Sequence, residues 1–201
     1  MKRTLFIFAL LASFASSQAQ EKLSREECLK YAFIVSADLK DLLNTPIPTD
    51  PDVKRPAGIK DEGCGALVLP ETKLAQAFAG IGKEVVPVGQ LWMAGLLPMS
   101  EGQAIAAEKL RLVRLTAGDR ERVVPCFALG ARKDANGGLE MLVYGKGAEP
   151  LLRLPLKAIS TGQEVPIDLS GERKDDGNGV LTFRFLGKYE AALNVRRTGQ
   201  E

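Results

Sequence analysis

The sequence predicts a mainly β protein: an antiparallel β-sandwich, or a barrel-like variant of one, with about eight to ten strands and one short α-helix. Three observations carry this expectation. From Glu108 onward the chain repeats one unit, a short segment with period-two alternation followed by a turn signal. Leu152-Arg153-Leu154-Pro155-Leu156-Lys157 shows the pattern, with its leucines on one face and its cations on the other. The intervening Asp134-Ala135-Asn136-Gly137-Gly138, Gly145-Lys146-Gly147 and Asp175-Asp176-Gly177-Asn178-Gly179 are rich in residues that tolerate positive φ, as hairpin turns require. Only residues 71–79 combine a helical start, an apolar face and a helical stop.

Residues 1–19 read as an export signal. Lys2 and Arg3 form a cationic start, residues 5–14 are continuously apolar or small, and Ser17 and Ala19 stand where a signal peptidase cuts. The apolar run is shorter than the roughly 20 residues of a membrane-spanning helix. No cysteine stands at the cut to be lipidated; the nearest, Cys28, follows Arg25-Glu26-Glu27. Residues 20–201 are expected to form a single β-rich domain, exported to a periplasm or secreted, with no transmembrane segment once the signal is removed.

Within that domain Ser24-Arg25-Glu26-Glu27 matches a capping box, and Cys28, Ala32, Val35, Leu39 and Leu42 keep a helical spacing. Tyr31, Phe33, Val35, Ala37 and Leu39 also alternate with period two in a β-favouring stretch, and this second pattern favours a strand over residues 30–39. Residues 44–60, which include Pro46, Pro48, Pro51 and Pro56, are expected to form a proline-rich surface loop. A strand follows at residues 66–69. Pro70 then begins the helix, with Leu74, Ala77 and Phe78 on its apolar face and Gly80 and Gly82 after it. Residues 85–93 are expected as a strand and residues 99–107 as a loop or short helix capped by Ser100. Further strands are expected at 126–132, 139–144, 152–157, 165–170, 181–185 and 191–196. Gly187-Lys188 is expected to make a two-residue turn, and Pro155 and Pro166 place their strands at sheet edges.

Composition narrows the chemistry. The chain has 27 Lys and Arg against 25 Asp and Glu, and removing Lys2 and Arg3 with the signal leaves 25 of each. A neutral domain has no overall attraction to polyanions, so nucleic acid is not an expected partner. The chain has no histidine, which removes imidazole-based nucleophile activation and the usual zinc and copper ligand sets. No phosphate-binding loop or dinucleotide motif is present, and no cofactor or metal is expected. Three cysteines leave at least one without an intrachain partner. Cys126 lies in an apolar strand, so Cys28 and Cys64 are the candidate disulfide.

The candidate binding residues are Trp92, Met93 and Met99, where the only tryptophan stands beside two adaptable methionines. Core packing is the competing reading of that segment. Asp50 and Asp52, the doublet Asp61-Glu62, and the turns at Asp134 and Asp175 are read as loop solubility and turn chemistry. The expected function is a non-catalytic exported protein that binds a partner protein or envelope component. The alternative is a carboxylate-dependent hydrolase of the glycosidase kind, acting on envelope or extracellular polysaccharide, which needs two acids converging in one cleft.

Overall fold

The computed structural model describes residues 20–37, 46–117, 120–174 and 177–198. The expected signal and the acids Asp175 and Asp176 lie outside these residues. The protein is an antiparallel β-sandwich that closes toward a barrel. One sheet is built from β1 (Glu21–Lys22), β2 (Ala57–Asp61), β3 (Cys64–Pro70), β4 (Val86–Ala94), β7 (Arg111–Ala117), β8 (Arg120–Lys133), β9 (Leu139–Tyr144) and β10 (Leu152–Pro155). The other contains β5 (Leu96–Ser100), β6 (Gln103–Ala104), β11 (Lys157–Ala158), β12 (Ile167–Arg173), β13 (Asn178–Phe185) and β14 (Tyr189–Arg197). The strand count exceeds the expected number partly because β1, β6 and β11 are two-residue pieces at corners.

The chain crosses between sheets at two corners. Gly95, at φ 65°, turns β4 into β5, and a Cβ there would stand 2.8 Å from the Gly63 carbonyl. Only glycine fits such a bend without moving the backbone. Leu156 makes the second corner, between β10 and β11. On the opposite side the Gln20 amide donates to the Gly171 carbonyl at 3.0 Å, and Lys22 holds Asp168 at 2.7 Å, so β1 bridges to β12. Strands that switch sheets in this way blunt the free edges of a sandwich.

The inner core follows the period-two pattern. Leu181, Phe183 and Phe185 of β13 and Ala191, Leu193 and Val195 of β14 are buried and alternate with less buried neighbours. They meet Leu91, Met93, Phe127, Leu129, Met141 and Val143 from the facing sheet. Pro155 lies on the edge strand β10, and Pro166 stands just before the edge strand β12, as their missing donors require. The hairpin after β8 uses Asp134 as an acceptor for the Asn136 and Gly138 amides, each at 2.8 Å. The β13–β14 connection is a three-residue loop, 186–188, rather than the expected two-residue Gly187-Lys188 turn, with Leu186 and Gly187 at φ 55° and 66°.

Two helices depart from expectation. Residues 25–37 form α1 (Arg25–Ala37), where the alternation suggested a strand. The capping box decides it: the Glu27 amide donates to Ser24 Oγ at 3.2 Å, and the Ser24 amide donates to Glu27 Oε2 at 2.8 Å. Only the helical set Cys28, Ala32 and Val35 is buried, whereas Tyr31 and Phe33 of the period-two set are exposed. The second helix, α2 (Leu74–Ala79), is shorter than residues 71–79 because Glu71 still pairs, as an isolated bridge, with Pro51. Phe78 projects from α2 onto Phe185 and Tyr189, with ring centroids 5.4 and 5.3 Å away. The proline-rich loop ends at Pro56, where β2 begins. Residues 99–107 carry the β5–β6 turn and reach a short 3-10 helix, Ala107–Lys109.

Candidate functional site

The eight-stranded sheet has a second apolar face, turned away from the inner core. Leu67, Leu69, Trp92, Val124 and Cys126 lie there, and α1 covers them with Cys28, Ala32 and Val35. Beside the helix, β7 and the first half of β8 form a two-stranded ribbon that runs on past the end of β4. Cys126 faces Trp92 of β4 on one side and Arg111 of β7 on the other. From there the ribbon continues through Val113 opposite Val124 and Leu115 opposite Arg122.

Between α1 and this ribbon lies an open groove of about 300 Å³. Its floor is the outer face of β3 and β4 at Gly65, Leu67, Trp92 and Ala94. Tyr31 and Val35 line it from α1, and Leu115, Arg122 and Val124 line it from the ribbon. Gly65 adds no side chain to the floor, and a Cβ there would press the Ile59 carbonyl at 2.8 Å. The volume is at the lower end of small-molecule sites.

The surface around the groove is unusual. Among the described residues, the exposed large apolar side chains are Leu29, Tyr31, Phe33, Leu112 and Val123. All five belong to α1 or the ribbon, but only Tyr31 lines the groove; Leu112 and Val123 alternate with Val113 and Val124 and lie on the ribbon's other face. Phe33 is 78% exposed and Val123 57%. Single exposed apolar residues are ordinary, and among the described residues these five are confined to two neighbouring elements.

Charges at the groove are unequally engaged. Lys60 is held by Glu27 at 2.8 Å and by Glu21 at 3.4 Å, and Asp61 by Arg173 at 3.3 Å. The Lys60 ammonium and the Ser24 contacts hold the Glu27 carboxyl at about 2, well below its usual value. Arg122 has no ion pair among the described residues and is exposed on the ribbon.

The structure separates the three candidate binding residues. Trp92 is 3% exposed and points to the groove side, where its indole N–H donates to Gln90 Oε1 at 3.3 Å. Gln90 in turn donates to Thr49 Oγ1 at 2.8 Å. Met93, the next residue on the strand, points into the inner core, and Met99 is half-buried on β5. Trp92 is therefore part of the groove floor, and the methionine side chains are not beside it on that face.

The Cys28–Cys64 pairing is not made: all three cysteines are free and buried. Cys28 packs on the outer face and Cys64 in the inner core, so the sheet lies between them. Burial pushes each of the three thiols up, which makes them poor nucleophiles. Among the acids, Asp52 pairs with Arg55 at 2.6 Å, and Asp134 serves its turn. No group of three or more metal-ligating side chains occurs among the described residues. No helix there is long and apolar enough to cross a membrane.

A second, more polar cleft of about 920 Å³ lies at the β5–β6 turn and the β9–β10 connection. Glu101, Glu108 and Glu149 line it, with Lys109 and Lys146. Sequence reasoning singled out Trp92 of the groove but neither region as a whole, because each joins residues distant in the chain. Comparison with known protein families, curated proteins and solved structures finds no match to this chain.

Proposed function

We propose that this protein is an exported, non-catalytic binding protein that takes an apolar ligand or partner segment in the groove between α1 and the β7–β8 ribbon. The observation that carries the reading is the open groove itself, with an apolar floor at Leu67, Trp92 and Ala94 and walls that include the exposed Tyr31 on one side and Leu115 and Val124 on the other. Export rests on Lys2, Arg3, the apolar residues 5–14 and the Ser17/Ala19 pair. The absence of histidine and the buried, unreactive thiols favour contact over covalent chemistry.

The test is binding of the neutral apolar dye N-phenyl-1-naphthylamine, followed by its fluorescence. The wild type enhances dye emission in a saturable way. Ala94→Phe, which fills the floor, lowers the affinity at least tenfold while circular dichroism stays native. Unchanged dye binding by a folded Ala94→Phe protein contradicts the groove assignment.

The polar cleft supports a second reading, a glycosidase-like hydrolase, because three acids from separate parts of the chain line one cavity. Its test is hydrolysis of envelope polysaccharide by wild type and by Glu108→Gln and Glu149→Gln. A true catalytic pair makes either substitution abolish activity. Equal activity in all three rejects it.

A further inference from the structure

The charge left over at the groove names a class of ligand. Lys60 and Asp61 line it, but each is already neutralised by carboxylates or a guanidinium of the protein itself. Arg122 lines it too, directly across the ribbon from Leu115, and no ion pair engages it among the described residues. The groove thus combines an apolar floor with Arg122, a cation at its wall that no ion pair engages among the described residues. A guanidinium is built to take a carboxylate through two parallel hydrogen bonds, and such a pair strengthens where apolar neighbours exclude water. A cavity of about 150 Å³ accepts benzene, so one of about 300 Å³ suits an apolar body of roughly ten to twelve non-hydrogen atoms.

We infer that the groove binds a single-chain amphiphile with an anionic carboxylate head, its chain on Trp92, Leu67 and Val124 and its head on Arg122. This rests on the groove reading above and adds the identity of the ligand's head and the residue that selects it. An alcohol of the same chain length gains the floor contacts and loses the paired charge.

The experiment titrates the protein with decanoate and with 1-decanol, reading Trp92 emission and confirming by calorimetry. Wild type binds decanoate. In Arg122→Gln, decanoate binding weakens about five- to tenfold, the range of a partly exposed charge pair, while 1-decanol binding is unchanged. Arg122→Lys restores part of the loss, and raising the salt concentration weakens decanoate alone. Arg122 is exposed on the ribbon, so its variants keep the fold. If both ligands bind and Arg122→Gln leaves decanoate untouched, the anionic assignment is overturned and the groove reading stands. If neither ligand binds the wild type, both are overturned.

Discussion

Glu71 lies beneath the 49–53 segment with Oε1 accepting the Asp50 amide at 2.8 Å and Oε2 without a partner. Burial raises its pKa above the usual 4.5, with the Asp50 charge adding to the shift. An acid whose folded pKa exceeds its unfolded one binds its proton more tightly when folded. Ionising it therefore costs stability as pH rises from about 4.5 through the raised value. Relative to Glu71→Gln, wild type should lose about 1 kcal/mol of unfolding free energy between pH 4.5 and 7.5, measured by urea denaturation at both pH values. A constant difference would contradict the burial argument. Glu27 has the opposite sign. The Lys60 hydrogen bond and the Ser24 cap hold it near 2, so its contribution is full above 4.5 and lost as pH falls through about 2. Because α1 covers Trp92, acidification over that window should red-shift the tryptophan emission. Glu27→Gln should flatten this response. The Ser24–Glu27 cap was plain in the sequence, whereas Glu71 was read as the first residue of a helix. Only the tertiary pairing of residues 50–52 with 70–72 explains why it is buried.

At the level of elements, α1 owes its place to a narrow seat. Ala32 is fully buried against the outer face of the sheet, between Cys28 and Val35. Ala32→Asp puts an unpaired charge there, and we expect α1 to leave the sheet at a cost of about 3 kcal/mol or more. The inner core, on the other side of the sheet, should keep its cooperative unfolding. Trp92 emission moving to longer wavelength, with native strand content by circular dichroism, checks this. Loss of all structure would mean that the two cores form one unit. The C-terminal strands were legible because one face is buried and the other wet, which prints the period on the sequence. α1 was not, since its exposed Tyr31 and Phe33 imitate a strand's alternation while the true packing set is 28, 32 and 35. The Trp92–Met93–Met99 cluster shows the same limit in reverse. Neighbours on a strand point to opposite faces, so the segment that looked like one anchor serves two cores.

Taken whole, the described residues form a two-sheet sandwich with α1 packed on the outer face of the eight-stranded sheet. Its corners at Gly95 and Leu156 and the Gln20–Gly171 bond hold the sheets together without a disulfide in the structure. Titration of the denatured, unreduced protein should accordingly count three thiols per chain and the native protein close to none; one thiol after denaturation would place a bridge where the structure has none. The sandwich class was readable from alternation and turns alone. The groove was not, because its floor comes from residues 65–94, one wall from residues 31 and 35, and the other from residues 115–124, which meet only through folding. The central claim is that ligands sit there, and methyl-resolved NMR tests it most directly. On addition of 1-decanol, the account predicts shifts at Leu67, Leu115 and Val124 and none at Leu129, Val143 or Leu193 of the inner core. Shifts confined to the inner core, or to Ile105 and Leu151 at the polar cleft, would contradict it.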